Sequence, residues 1–150
     1  MVKDLYPITK EAAIEVASNL RPEDYREVVE GHGLDISTIP SMVTHGQCYY
    51  FKAPNGKIAA IGGVYDDGRI WMLCTPTIEE YPYRYARFCK RFMASRPEKL
   101  LWNIVDKRNK VHLKLLKFLG FKFIREIKHG PHNLSFIEFC HVRRNGSRWS

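Results

Sequence analysis

One stretch, Leu100 to Ile127, limits what this chain can fold into more than any other: LLWNIVDKRNKVHLKLLKFLGFKFIREI. Leu100 to Val105 is a short apolar run, interrupted by Asn103, that suits a buried strand. From Asn109 to Leu119, the residues Val111, Leu115, Phe118 and Leu119 fall on one helical face. Gly120 suits the position just past the last helical turn, where glycine readily adopts the left-handed backbone. Phe121 to Ile127 then alternates. Phe121, Phe123, Arg125 and Ile127 fall on one side, and Lys122, Ile124 and Glu126 on the other, the period of a strand with one strongly apolar face. Strand, helix, glycine, strand excludes a helical bundle and requires an α/β layer.

A chain of 150 residues is one domain by length and large enough to bury a proper core. We place the domain at 1–142 and a polar, mobile tail at 143–150. No apolar stretch approaches the ~20 residues of a membrane span. The N-terminus has no apolar signal core, which predicts a protein kept in the cytosol. Cys48, Cys74, Cys89 and Cys140 are far apart and form no Cys-x-x-Cys pair. They are predicted to be reduced core fillers, without a metal.

Charge is unevenly spread. Residues 1–80 hold 7 basic and 12 acidic residues, and residues 81–150 hold 17 and 4, giving a basic second half in a chain of net charge +8. Arg84, Arg87, Lys90 and Arg91 stripe one predicted helix. Lys107, Arg108, Lys110, Lys114 and Lys117 lie on and before the next. Together they predict a surface for an acidic partner, either nucleic acid or an acidic protein. No helix-turn-helix, zinc-finger or RNA-binding signature accompanies them.

The remaining elements follow from local signals. Val2 to Tyr6 reads as a short strand. Thr9 caps a small-residue helix through Ala12, Ala13, Val16, Ala17 and Leu20. Pro22 opens a second helix with Glu23 and Asp24 in its first turn, Tyr25, Val28 and Val29 inward, and Gly31 as its stop. His32 to Thr44 reads as a loop with one short helix. Gln47–Lys52, Lys57–Tyr65 and Arg69–Thr75 form a meander turned by Asn55-Gly56 and Asp67-Gly68. Within it, Gly62-Gly63 marks either tight strand packing or a ligand's approach to the backbone. Tyr81 to Ala94 is a long helix whose Tyr81, Tyr85, Phe88 and Phe92 face the core. Leu134 to Val142 closes the fold by pairing with Phe121–Ile127. Asn109 is predicted to cap its helix. Asn103 is predicted to bond across neighbouring strands or to face a ligand.

This order resembles the GNAT N-acetyltransferase fold over nearly the whole chain, with Asn109, the Val111–Leu119 helix and Gly120-Phe121 as its local signature. The resemblance implies a single α/β (α+β) domain, a mixed and mostly antiparallel sheet flanked by about four helices. Ile58–Gly63, Trp71, Phe88, Phe92, Trp102-Asn103, Asn109, His112, Leu116 and Gly120-Phe121 are still more similar to GNAT-like internal virion or virion-assembly proteins of short-tailed lytic bacteriophages. That likeness implies a non-catalytic virion protein with no cofactor. It would sit first in the host cytoplasm and then in the particle, bound to acidic virion proteins or phage DNA.

The alternative implied by the broader family is an acetyl-CoA-dependent N-acyltransferase. Family members cradle pyrophosphate in an Arg/Gln-x-x-Gly-x-Gly/Ala turn, but Thr75 to Tyr83 here reads TPTIEEYPY, without glycine. Arg84, Arg87 and Asn109 are the implied cofactor contacts. The family's proton-transferring Tyr falls on Leu116, which leaves His112 and His141 as substitutes.

Overall fold

The computed structural model describes residues 3–43 and 47–143. Val2, Thr44 and nearly all of the predicted tail lie outside them. In chain order the elements are β1 (Leu5–Pro7), α1 (Lys10–Ala17), α2 (Pro22–Arg26), α3 (Ile39–Met42), β2 (Gln47–Lys52), β3 (Ile58–Val64), β4 (Ile70–Cys74), α4 (Pro82–Ser95), β5 (Leu100–Asp106), α5 (Lys110–Phe118), β6 (Lys122–His129) and β7 (Leu134–Val142). A five-residue π turn, Glu27–Gly31, prolongs α2. The short α3 lies within the segment read as a loop with one helix.

Two antiparallel sheets result, ordered β1-β2-β3-β4 and β5-β7-β6. Thr9 Oγ1 accepts the Ala12 amide at 3.1 Å and starts α1. Ala12, Ala13, Val16 and Ala17 are buried there, and their small side chains let the helix lie close to the sheet. Gly120 has φ +89°. The Phe121 amide bonds the Leu116 carbonyl and the Gly120 amide bonds the Lys117 carbonyl, a Schellman end to α5. Two apolar clusters cover the two faces. Phe51, Tyr85, Phe88, Leu101, Val105 and Leu116 pack beneath α4 and α5. Val16, Val28, Ile39, Val43 and Ile61 pack beneath α1, α2 and α3. An aromatic side chain such as Phe88 contributes about 1.5–3 kcal/mol by burial.

Three local expectations are corrected. The predicted apolar face of β6 is largely exposed, including Phe123, because β6 is an edge strand and a register shift between Phe123 and Arg125 breaks its alternation. Tyr25 is exposed, and the acidic Asp24 is buried in its stead. Asn109 occupies the α5 cap position without a side-chain cap bond, because its amide is bonded elsewhere.

Candidate functional site

β4 and β5 run parallel and are joined at one end only. Arg69 bridges Trp102. The Trp102 indole donates to the Asp67 carbonyl at 3.0 Å, and Asn103 Nδ2 donates to the Ile70 carbonyl at 2.9 Å. Asn103 is therefore the last stitch between the sheets. Past it the strands belong to separate sheets, and a cavity of about 380 Å³ lies between them. Ile70, Met72, Phe88 and Leu116 line it from the α4/α5 side, and Val28, Ile39, Trp71 and Leu73 from the α1–α3 side. The gap thus communicates with both faces of the sheet.

The second helix closes the open end. Asp24 and Glu27, three residues apart, lie on one side of the helical path. The Cys74 amide of β4 donates to Asp24 Oδ2 at 2.7 Å, and the Asp106 amide of β5 donates to Glu27 Oε1 at 2.8 Å. Two carboxyl groups thus hold the strand ends that no longer reach each other. Glu27 is only partly enclosed by its neighbours, and it lines the cavity. Loss of hydration there, with Asp24 and Asp106 nearby, pushes its carboxyl up to about 8 against the opposing bonds of the Asp106 amide and Asn109.

Asp24 also belongs to a wholly buried network. Arg21, fully buried, places Nη2 3.3 Å from Asp24 Oδ1 and 3.2 Å from Asn109 Oδ1. Asn109 Nδ2 donates to Asp24 Oδ1 at 2.9 Å and lies 3.1 Å from His112 Nδ1. His112 Nε2 is 3.7 Å from Cys74 Sγ and 3.5 Å from Asp24 Oδ1. Burial opposes the Arg21 charge, but Asp24, Cys74 and Glu23 together outweigh it and the guanidinium pKa is raised. Burial lowers His112 despite Asp24 and raises the Cys74 thiol and the Tyr85 phenol well above their usual ranges. At pH 7 the histidine is neutral and neither Cys74 nor Tyr85 is ionised, so no thiolate nucleophile forms here. Asp24, Cys74 and His112 offer ligand atoms within 4.8 Å of one another. The Arg21 cation already balances the carboxylate, so a metal ion there would face an adjacent positive charge.

The predicted site residues separate. His112 lines the cavity, whereas His141 lines a small depression with Gly120, Lys122, Cys140 and Val142. The Asn109 side chain is bonded into the Arg21 network. Arg87, Lys90, Arg91, Lys110, Lys114 and Lys117 are exposed on α4 and α5. Lys90 Nζ lies 5.1 Å from the Phe118 ring centre, which joins the two basic rows. The other three cations of the predicted surface are engaged by acids. Arg84 pairs with Asp4, Lys107 with Glu126, and Arg108 with Asp106 and Glu30. Pro76–Glu80 forms a 3₁₀ turn with Thr77 and Ile78 buried, and the Ile78 and Tyr81 amides are bonded within it. It provides no glycine cradle of free amides before α4.

Arg21, Asp24 and Glu27 went unread in the sequence. Asp24 looks like an ordinary acid in a helix's first turn, and the only local hint is its i,i+3 spacing to Glu27. Gly62 and Gly63 line the cavity, yet a methyl at either would overlap a backbone carbonyl, of Trp71 or Gln47. Close strand approach therefore accounts for the pair.

No protein-family model and no curated protein matches the sequence. Solved structures do match in shape. A spermidine N-acetyltransferase from Vibrio cholerae, in complex with CoA and spermine, superposes with TM-score 0.67 at 7% identity over 92% of this chain and 94% of that one. A GNAT-family acetyltransferase from Bacillus anthracis gives 0.66 at 8% identity over 95% and 96%. An aminoglycoside acetyltransferase in complex with coenzyme A gives 0.61 at 13% identity over 93% and 94%. These likenesses show a single-domain GNAT fold.

Proposed function

We propose that this protein is an N-acyltransferase that takes an acyl-CoA thioester as its donor and an amine as its acceptor. The observation that carries the reading is the cavity between β4 and β5, which reaches both faces of the sheet. Such a gap lets a thioester arm enter from the α4/α5 side and an amine from the α1–α3 side. The apolar walls suit the donor's narrow arm. The exposed cations of α4 and α5, not backbone amides, would meet its phosphates. Leu116 cannot move a proton, and the protein's groups nearest that role are Glu27 and His112. The test is thermal unfolding with acetyl-CoA. A ligand at 100 times its Kd stabilises by about 2.7 kcal/mol, so a clear rise in Tm is expected, and no rise at millimolar ligand rejects the reading.

A second reading is favoured by the closed Pro76–Glu80 turn and by Leu116. In it the fold is a non-catalytic scaffold, and the sequence resemblance extends this to a phage virion component contacting acidic partners or DNA. That version predicts the protein in purified particles. Its presence in infected cytosol alone, never in particles, would sink it.

A further inference from the structure

We propose that Glu27 is the group that takes the proton from the acceptor amine, and that the acceptor is a monoamine carried on an apolar, ring-sized body. This rests on the acyltransferase reading above and assigns its acceptor half. Among the described residues that line the cavity, Glu27 bears the single carboxyl group, and the Arg69 guanidinium, which lies over the Tyr65 ring, is already paired with Asp67. Leu34, Ile39, Met42, Val43, Tyr65 and Trp71 make the wall on the same side of the sheet. Trp71 Nε1 is buried there without a hydrogen-bond partner. One carboxyl in an apolar enclosure suits one cationic nitrogen. A chain with several ammonium groups would leave the others desolvated and unpaired.

The charged groups that face Glu27 are Asp24 on its own helical path and Asp106 on β5, both acidic. His32 and His112 share the cavity, and burial lowers both, His32 to about 4. Burial therefore makes both histidines weaker bases than a free imidazole. Glu27 is held by the Asp106 amide at 2.8 Å, which fixes one oxygen. In the transfer, with Glu27 ionised as it is above about pH 8, the ammonium gives one proton to the Glu27 carboxylate and becomes a free amine. The amine lone pair forms the C–N bond to the thioester carbonyl, and the C–S bond breaks. The second nitrogen proton passes to the departing thiolate, and Glu27 returns its proton to solvent. The balance is ammonium plus thioester giving amide, thiol and one proton.

The test compares wild type with Glu27→Gln and Glu27→Asp, using acetyl-CoA with 2-phenylethylamine or spermine. The glutamine oxygen still accepts the Asp106 amide, so the fold and the acetyl-CoA shift in Tm are retained. Wild type is expected to acetylate phenylethylamine in preference to spermine, and phenylethylamine alone is expected to raise its Tm. Glu27→Gln should lower kcat about 10²–10⁴-fold, the range of general-base loss. It should leave KM for acetyl-CoA unchanged and remove the rise of rate with pH that tracks the carboxyl. Glu27→Asp should restore part of the rate. If acetyl-CoA stabilises both proteins and Glu27→Gln keeps the wild-type rate and pH profile, the base assignment is overturned. Preference for spermine overturns the acceptor assignment. If acetyl-CoA stabilises neither, the transferase reading falls and this inference falls with it.

Discussion

The Arg21–Asp24 pair shows how one residue can hold two elements and a charge at once. Asp24 accepts the Cys74 amide, the Asn109 amide and the Arg21 guanidinium while almost fully buried. Asp24→Asn would remove the buried counter-charge of Arg21 and leave only the partly exposed Glu23 carboxylate, at 3.4 Å, to balance it. Breaking a buried pair in this way costs about 3–5 kcal/mol, read as a lower urea midpoint. Replacing both partners by apolar residues of matched volume should cost less than the single change. Glu27 produces the opposite pH behaviour to a salt-bridged acid. Its pKa rises from 4.5 unfolded to about 8 folded, so the folded state binds the proton more tightly. The associated stability is fully present below 4.5 and is lost as pH rises through 8. Tm should fall between pH 5 and pH 9, and Glu27→Gln should flatten that fall. An unchanged slope in the variant would remove Glu27 as its source.

At the scale of elements, strands and helices with strong periodicity were legible and long-range burial was not. The meander, α4, β5 and β7 follow from alternation, glycine turns and apolar stripes, whereas α5 forms where its spacing places it but buries His112 and Leu116 and leaves Val111 and Phe118 of the predicted stripe exposed. The face of β6 was misread because its pattern cannot say that the strand lies at a sheet edge. The site was less legible still. Asp24 and Glu27 act on amides 50 and 79 residues away, and no local pattern encodes such a meeting. Asn109 was read as a cap, yet Arg21 and Asp24 claim its side chain. The glycine pair in β3 gives an element-scale prediction. Gly63 faces the Gln47 carbonyl and the Cys48 backbone on β2. A methyl there must push backbone, not a flexible side-chain tip. Gly63→Ala should therefore destabilise by about 1–3 kcal/mol, the usual range for overpacking. An alanine variant with an unchanged Tm would show that β2 and β3 part freely.

For the whole molecule, the deciding property is where the positive charge lies relative to the gap. The turn before α4 has no glycine and bonds its Ile78 and Tyr81 amides internally, so it offers a phosphate-bearing ligand no glycine cradle. Of the predicted basic surface, the exposed cations not engaged by acids are Arg87, Lys90, Arg91, Lys110, Lys114 and Lys117, on the two helices that cover one side of the cavity. Contacts from exposed side chains are screened over about 8 Å at physiological ionic strength and about 3 Å at 1 M. Amides fixed in a buried turn would be screened much less. The acetyl-CoA shift in Tm should therefore shrink steeply between 0.05 and 1 M NaCl. Acetyl-pantetheine, which keeps the thioester arm and lacks the phosphates, should give a smaller shift that salt barely changes. The double variant Arg87→Glu, Arg91→Glu should bring acetyl-CoA down to the level of acetyl-pantetheine. Duplex DNA provides the contrasting arm, because its binding also falls with salt. DNA retention without any acetyl-pantetheine shift would assign the basic face to a macromolecule and the cavity to no thioester. A salt-independent acetyl-CoA shift would instead place the phosphates on groups other than these helices.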